Sequence, residues 1–445
     1  MKVPAPPPQL GDLFAKLQSN DRLVHVMSRA LPGTMTRDYL PWDKLRFKTP
    51  PDDLSSEEWW LTVRLARKSV QRDIPQLRDV AGSPFNYALP DELLKGVDYI
   101  NRNASGHITI SEQVTNPSTR NRYVVSSLIE EAITSSQLEG AATSKRVAKD
   151  MIRSGRPPKD RSERMILNNY FAMRRITELK GLELTPEIVC EIHRIVTDGT
   201  LINPDAAGKI QTDEAERISV WGDEEQLLHK PPPAAQLPER LQSLCDFAND
   251  VTGEAYMPPV LRAITVHFMM GYDHYFDDGN GRTARALFYW SMLRQDYWLT
   301  EFLTISRLLN QAPAQYARSF LLTEQDEGDL THFFIYHLGI LKRAIGELHD
   351  YLAKKAEELR EIQSSIKAMP NEFNHRQLAL LERAIRNPGA SYSAQSHATS
   401  HSTSHETARQ DLIDLENRGF LTRSKIGKKF VWTPVVDLLD RLKKS

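Results

Sequence analysis

Apolar residues recur every three or four positions along most of this chain, the spacing that places them on one face of an α-helix. Between Val124 and Leu138 the residues Val125, Leu128, Ile129, Ala132, Ile133 and Ser136 keep that interval, and Gly140 follows as a helix stop. Comparable stripes predict helices over Ser144–Arg153, Ser162–Leu179, Pro186–Asp198, Ala235–Asn249, Pro258–Tyr272 and Thr283–Gln295. Nearer the start, Ser55-Ser56-Glu57-Glu58 has the form of a helix cap, and Trp59, Trp60, Val63 and Leu65 supply a partly apolar face behind it. The period breaks between about Gln211 and His229. There Arg217-Ile218-Ser219-Val220-Trp221-Gly222 joins β-branched and aromatic residues between polar and Gly positions, which predicts a hairpin ending at Pro231-Pro232-Pro233.

A longer pattern from about Leu330 to Ala368 begins apolar, with Phe333, Phe334, Ile335, Leu338, Ile340 and Leu341, and then turns heavily charged, as in a helix that leaves a core for solvent. Beyond it, a helix over His375–Arg386, a Ser/Thr/His-rich middle, a helix over Glu406–Arg418 and two strand-like runs divided by Gly427 make a last module. The expected fold is mainly α, in four parts: a helical N-terminal region (1–105), a core (106–345), a connecting helix (346–370) and a C-terminal module (371–445).

At 445 residues the chain exceeds what one hydrophobic core usually holds, which agrees with a modular reading. Its 57 Lys+Arg against 58 Asp+Glu leave a net charge of -1, so attraction to nucleic acid or a membrane surface is confined to local patches. Cys190 and Cys245 are too few for a disulfide framework and are expected as reduced thiols. With neither a signal-peptide pattern nor an 18-residue uncharged apolar run, the expectation is a cytoplasmic protein without a membrane partner.

The chemistry concentrates in His274-Tyr-Phe-Asp-Asp-Gly-Asn-Gly-Arg-Thr-Ala-Arg285, between two predicted helices. Glycines flanking Asn280 let backbone approach a ligand closely, and a helix beginning near Arg282 aims free N–H groups and its positive dipole end at the same place. Those are the parts of an anion site. Arg282 and Arg285 lie three apart and can each grip phosphate oxygens. Asp278 suits Mg²⁺, a hard cation that takes one or two carboxylates plus phosphates, and His274 suits a general base near neutral pH.

His274, Phe276, Asp278, Gly279-Asn280-Gly281-Arg282 and Arg285 match every fixed position of the motif His-x-Phe-x-(Asp/Glu)-Gly-Asn-Gly-Arg-x-x-Arg. In this the chain resembles the Fic family, α-helical enzymes most of which transfer AMP from ATP to a Ser, Thr or Tyr hydroxyl of a target protein. The resemblance covers about Val124 to Leu341, with Ile192-His193-Arg194-Ile195, Tyr316 and Glu327-Gly328-Asp329 included. It implies that His274 deprotonates the hydroxyl and that Asp278 holds Mg²⁺ on the ATP phosphates. It further implies an anion hole from Gly279, Asn280 and Gly281, with Arg282 on the reacting phosphates and Arg285 on the γ-phosphate. Ile218, Ser219, Val220 and Trp221 look like the family's flap, which docks an extended target segment by strand addition. His193 and His267 are expected to be structural. Tyr275 stands where most members have Pro, and Asp277 is expected as a solvated loop charge.

Ser135-Ser-Gln-Leu-Glu139-Gly140 resembles the family's inhibitory motif, (Ser/Thr)-x-x-x-Glu-(Gly/Asn), carried N-terminal to the catalytic segment. Ser135 and Glu139 share a helix face, and Glu139 on Arg285 would occupy the place the γ-phosphate needs. The last module resembles a winged helix-turn-helix. Its twelve Lys+Arg against eight Asp+Glu, with Arg423, Lys425, Lys428 and Lys429 on the expected wing, leave DNA binding by 371–445 open. His397, His401 and His405 recur every four residues, but no carboxylate or Cys shares the interval, which favours a solvated segment over a metal site. The alternative to an autoinhibited adenylyltransferase is a DNA-binding regulator whose Fic core senses nucleotide or removes AMP from targets. Self-modification, homodimerisation and the target itself stay undetermined by sequence.

Overall fold

Helix starts are set by their own side chains. The Ser55 hydroxyl accepts from the Glu58 N–H while the Glu58 carboxylate accepts from the Ser55 N–H at 2.8 Å, a closed capping box opening the helix Ser56–Lys68. Ser144 caps Lys145–Ser154, Asp160 caps Arg161–Leu179, and Thr185 caps Pro186–Thr197, with Pro186 in the first turn where its missing N–H costs nothing. Gly140, at φ 88°, ends the helix Pro117–Leu138, and Gly155, at φ 68°, ends Lys145–Ser154. In the computed structural model the described residues are 3–19, 21–30, 38–51, 53–105, 117–212, 217, 220–221, 227–251, 255–367, 372–386, 389–426 and 429–442.

These residues are mainly helical, and their strands form three separate two-stranded antiparallel sheets. One lies in the N-terminal region, where the helical stripe does not foretell it. Arg72–Arg78 pairs with Pro84–Tyr87 in the register Arg72↔Tyr87 and Ile74↔Phe85, and an irregularity between Ile74 and Arg78 lets Ile74 and Leu77 both turn inward. The second pairs Val220↔His229 and Trp221↔Leu227. Ile218 and Ser219 lie outside the described residues.

Contacts divide the chain into two units, residues 1–106 with 126–345 and residues 107–125 with 346–445. In the first, the helix Pro259–Asp273 is buried nearly all round and packs against Asn280–Arg294. A helix apolar on every side is what a core centre requires. Ile129, Ile133, Ala148, Met151, Met165 and Ile166 join the end of the Pro117–Leu138 helix to its neighbours. The N-terminal residues belong to this unit. Tyr39 donates to Asp329 at 2.5 Å, Arg64 pairs with Asp326 at 2.7 Å, and Leu330 N–H donates to the Asn86 carbonyl at 2.8 Å.

The second unit has its own core of Leu380, Leu381, Ala384, Leu412, Leu415, Phe420, Trp432 and Leu438, drawn from His375–Arg386, His405–Asn417 and the hairpin of Leu421–Ile426 with Lys429–Pro434. Buried Asp411 binds its helices together, accepting from Asn374 at 2.7 Å, from Arg376 at 2.7 Å and facing His397 at 3.3 Å. The helix Thr331–Lys367 follows the long pattern seen in sequence, with Phe333, Phe334, Leu338, Leu341 and Ile345 buried. Among the described residues no helix is long and apolar enough to cross a membrane.

Candidate active site

The segment from His274 to Arg285 is a loop and a helix start locked by its own side chains. The helix begins at Asn280, three residues before the stripe predicts, and the Asn280 side chain turns back onto the loop. Its amide oxygen accepts from Phe276 N–H at 3.0 Å and its nitrogen donates to the Phe276 carbonyl at 2.6 Å. This side chain therefore shapes the cradle from beneath, leaving backbone N–H groups at the helix start for an anion. Gly279 has φ 87°, and a Cβ there would sit 2.6 Å from Thr197 Cγ2, so both conformation and space demand glycine. His193 supports the same loop: it stacks on Phe276 at 3.7 Å, accepts from Gly208 N–H through Nδ1 and so donates from Nε2 to the Asp278 carbonyl at 2.8 Å. Burial lowers its pKa to about 4, in keeping with a neutral structural ring. His267 is likewise buried and neutral, with Nε2 at 2.7 Å from the Tyr316 hydroxyl.

Both arginines of the motif are buried. Arg282 gives Nη1 to the Val196 carbonyl at 2.6 Å, while Nε and Nη2 have no hydrogen-bond partner. Buried cationic donors left unmade are costly, and an anionic ligand in the cradle would satisfy them. Arg285, 2% exposed, donates to Ser135 Oγ, to the Ser135 carbonyl and to Glu139 Oε1, each at 2.8 Å. Burial opposes its charge, but Glu139, with Tyr316 and Glu131, outweighs it and its pKa is raised. A Cβ on Gly281 would lie 2.2 Å from Glu139 Oε1, so this carboxylate rests directly on the glycine of the cradle. Asp278 keeps its side chain 45% exposed, 3.3 Å from Arg161 and 3.9 Å from Arg282. A reachable carboxylate beside partnerless guanidinium donors fits a divalent cation and polyphosphate bound together.

His274 terminates the helix Pro259–Asp273 in the left-handed region, at φ 50° and ψ 60°, a conformation that costs a non-glycine residue about 1–2 kcal/mol. Three cations hold that strained end. His229 Nε2 meets the Tyr272 carbonyl at 2.6 Å, Arg217 donates to the Asp273 carbonyl at 2.6 Å and the His274 carbonyl at 3.0 Å, and Arg240 donates to the Asp273 carboxylate at 2.6 Å. Tyr275, buried, gives its hydroxyl to the same carboxylate at 2.6 Å, a hydrogen bond that fixes the loop where Pro would act by stiffness. Asp277 is exposed and accepts from Gln211 at 2.8 Å. His274 itself is half-buried, and burial, then His229 and Arg217, lower its pKa to about 4. At neutral pH its ring is uncharged and able to accept a proton.

Arg161 reaches the site from a distant stretch whose local sequence is unremarkable, and Arg217 opens the run read as a hairpin, where nothing local marks it as a partner of His274. The one signal at His229 is its place at the end of the expected hairpin, just before the prolines. Among the described residues one group of three, Asp326, Asp329 and His332, brings metal-ligating atoms together. Arg64 pairs with Asp326, while Tyr39, Gln71 and Thr331 occupy Asp329, so the group is an internal ionic hub. His397 faces Asp411 and His401, on the helix Ala394–His401, whereas His405 opens the next helix. Arg423 and Lys425 lie on the C-terminal hairpin beside Phe430, and Lys428 falls outside the described residues.

Residues 183–292 match the Fic/DOC family. Over 117 residues the chain is 32% identical to a protein adenylyltransferase, fic-1, of Caenorhabditis briggsae, an alignment covering 26% of this chain and 20% of that protein. The chain thus spans about a fifth of the length of this curated relative. Among solved structures, a Fic family protein from Desulfovibrio desulfuricans aligns at 18% identity over 77% of this chain and 95% of its own, with a TM-score of 0.49. Fic-1 from C. elegans aligns at 22% identity over 57% of this chain and 68% of its own, with a TM-score of 0.43. Neither score reaches 0.5, so these two likenesses establish no shared fold. The sequence match, with the cradle of His274 to Arg285 inside it, makes residues 183–292 a Fic/DOC-family domain.

Proposed function

We propose that this chain is a protein adenylyltransferase held in check by Glu139. The observation that carries the reading is the arrangement at Arg282 and Arg285: one buried guanidinium has donors without a hydrogen-bond partner, the other is occupied by Glu139, just past the end of the helix Pro117–Leu138. In the reaction, a hydroxyl oxygen of the target bonds to the α-phosphorus of ATP, the bond from that phosphorus to the β-bridging oxygen breaks, and pyrophosphate leaves. His274, neutral at pH 7, takes the hydroxyl proton. Gly281 and the helix start give backbone donors to the phosphates, Gly279 N–H being donated to Asp278 Oδ1 at 2.6 Å, and Arg282 adds its free Nε and Nη2. Mg²⁺ on Asp278 would neutralise phosphate charge. Glu139 opposes all this by claiming Arg285, the residue assigned to the γ-phosphate. The strands Val220–Trp221 and Leu227–His229 support the flap assignment.

Incubation with labelled ATP tests the reading. Glu139→Gly is expected to raise incorporation of AMP into the chain or an added target, and His274→Ala in the same background to abolish it with nucleotide binding retained. Full incorporation without His274 would remove it as the base.

The helices Ala394–His401 and His405–Asn417, joined by a turn through left-handed Ser402 and followed by a hairpin, support a winged helix-turn-helix in the second unit. A gel shift with random duplex DNA across salt tests whether it binds nucleic acid: binding that weakens steeply with salt would favour a regulator.

A further inference from the structure

We infer that His229, together with Arg217, is a positioning residue for His274, tying the flap segment to the helix end that presents the base. The inference rests on the transferase reading for what His274 does, while the geometry stands by itself. Three consecutive carbonyls at the end of the helix Pro259–Asp273 and just beyond it, those of Tyr272, Asp273 and His274, are each taken by a cation from outside the helix: His229 holds the first and Arg217 the other two. Carbonyls there lack intrahelical partners and sit at the negative dipole end, so cations are their natural complement. Because His274 occupies the left-handed region, its direction depends on that grip.

His229 is the more informative of the two. It is buried, its Nε2 meets the Tyr272 carbonyl and its Nδ1 meets Glu324 Oε2 at 2.8 Å. A carbonyl and a carboxylate only accept, so both ring nitrogens carry protons and the ring is a cation. Burial works against that charge, but Glu324 and the Tyr272 carbonyl outweigh it and the pKa is raised. The charged groups around His229 are Glu324 from the helix Pro313–Gln325 and Asp273; those around His274 are His229, Arg217, Glu139 and Asp278. When pH rises past the pKa of His229, one nitrogen presents a lone pair to an acceptor, the strand Leu227–His229 loses a tie, and the positive charge that keeps His274 neutral disappears. A target strand docked on the flap would therefore be sensed at the base through the same two residues.

The test uses the full chain in the Glu139→Gly background. His229→Gln is expected to lower kcat about tenfold or more with KM for ATP nearly unchanged, to abolish the alkaline limb of the pH–rate profile, and to raise the titration midpoint of His274 followed by histidine-selective NMR. Glu324→Gln keeps the bond to Tyr272 but removes the countercharge, and should move the alkaline limb to lower pH by about one unit. A fall in rate equal at every pH, with the His274 midpoint unmoved, would reduce His229 to a packing residue and overturn the inference. If the background enzyme transfers no AMP, the transferase reading fails and the NMR midpoint alone decides: a rise upholds the positioning role, no change overturns it. Should His229→Gln fail to fold, Glu324→Gln decides by the alkaline limb, an unmoved limb counting against the inference.

Discussion

Glu139→Gly removes one carboxylate from a guanidinium that is 2% exposed, and its two consequences have opposite sign. Breaking a buried ion pair by deleting one partner costs about 3–5 kcal/mol. Here the Glu139 side chain is 28% exposed and Arg285 retains two acceptors on Ser135, so the loss of folding stability should fall lower, at about 1–3 kcal/mol. The same contact is what ATP must displace to use Arg285. A charge-assisted hydrogen bond worth about 1.5–3 kcal/mol, at about 1.4 kcal/mol per factor of ten, converts to a gain of roughly 10- to 150-fold in productive turnover at limiting ATP. The variant should be less stable and more active together. Initial rates of AMP incorporation from ATP labelled at the α-phosphate, measured beside urea unfolding midpoints, read both quantities. Glu139→Gln, which keeps the shape and drops the charge, should fall between wild type and Gly on each axis. Loss of stability in the expected range with incorporation within about twofold of wild type would mean that the pair is structural and that no brake exists.

Three further expectations follow from the geometry. Asp278→Asn should raise the Mg²⁺ concentration for half-maximal rate about tenfold or more, because a carboxylate is replaced by a weaker oxygen donor; an unchanged Mg²⁺ dependence would take Asp278 out of the metal site. Gly279→Ala forces φ 87° on a side chain that also meets Thr197 at 2.6 Å, so the unfolding free energy should fall by about 2 kcal/mol or more, and an unaffected urea midpoint would show that the loop relaxes freely. Acid should destabilise the first unit. His193 and His274 fall to about 4 and His337 to about 3 when folded, all below the unfolded value of 6.5, so in this window the unfolded chain binds more protons. The contribution of these three histidines is complete above pH 6.5 and lost as pH falls toward 4, at roughly 1.4 kcal/mol per histidine per pH unit, which urea midpoints at pH 6.5, 5.5 and 4.5 would register.

Much of the helical framework was legible because its signals are local. The cap at Ser55–Glu58 and the stripe over Pro259–Asp273 act within a turn or two, so the residues that make each element are neighbours in sequence. The hairpin Arg72–Tyr87 was missed for the converse reason. Its inward Phe85 finds its packing on Phe268 and Tyr272, far along the chain, and a short alternation among prolines leaves little periodic trace.

The His274–Arg285 motif likewise announced the chemistry from sequence, since a cradle of glycines, a helix start and two arginines is built within twelve residues. Which charges are spent and which remain free was decided only by the fold. Arg282 and Arg285 look alike in sequence, yet the Val196 carbonyl leaves two donors of the first open while Ser135 and Glu139 fill the second. His274 looks like an ordinary histidine; the cations that lower its pKa and hold its strained backbone, His229 and Arg217, come from 45 and 57 positions earlier. Short-range hydrogen bonding writes itself into local sequence, whereas burial and electrostatics depend on what folding brings alongside, and no window of neighbouring residues contains that information.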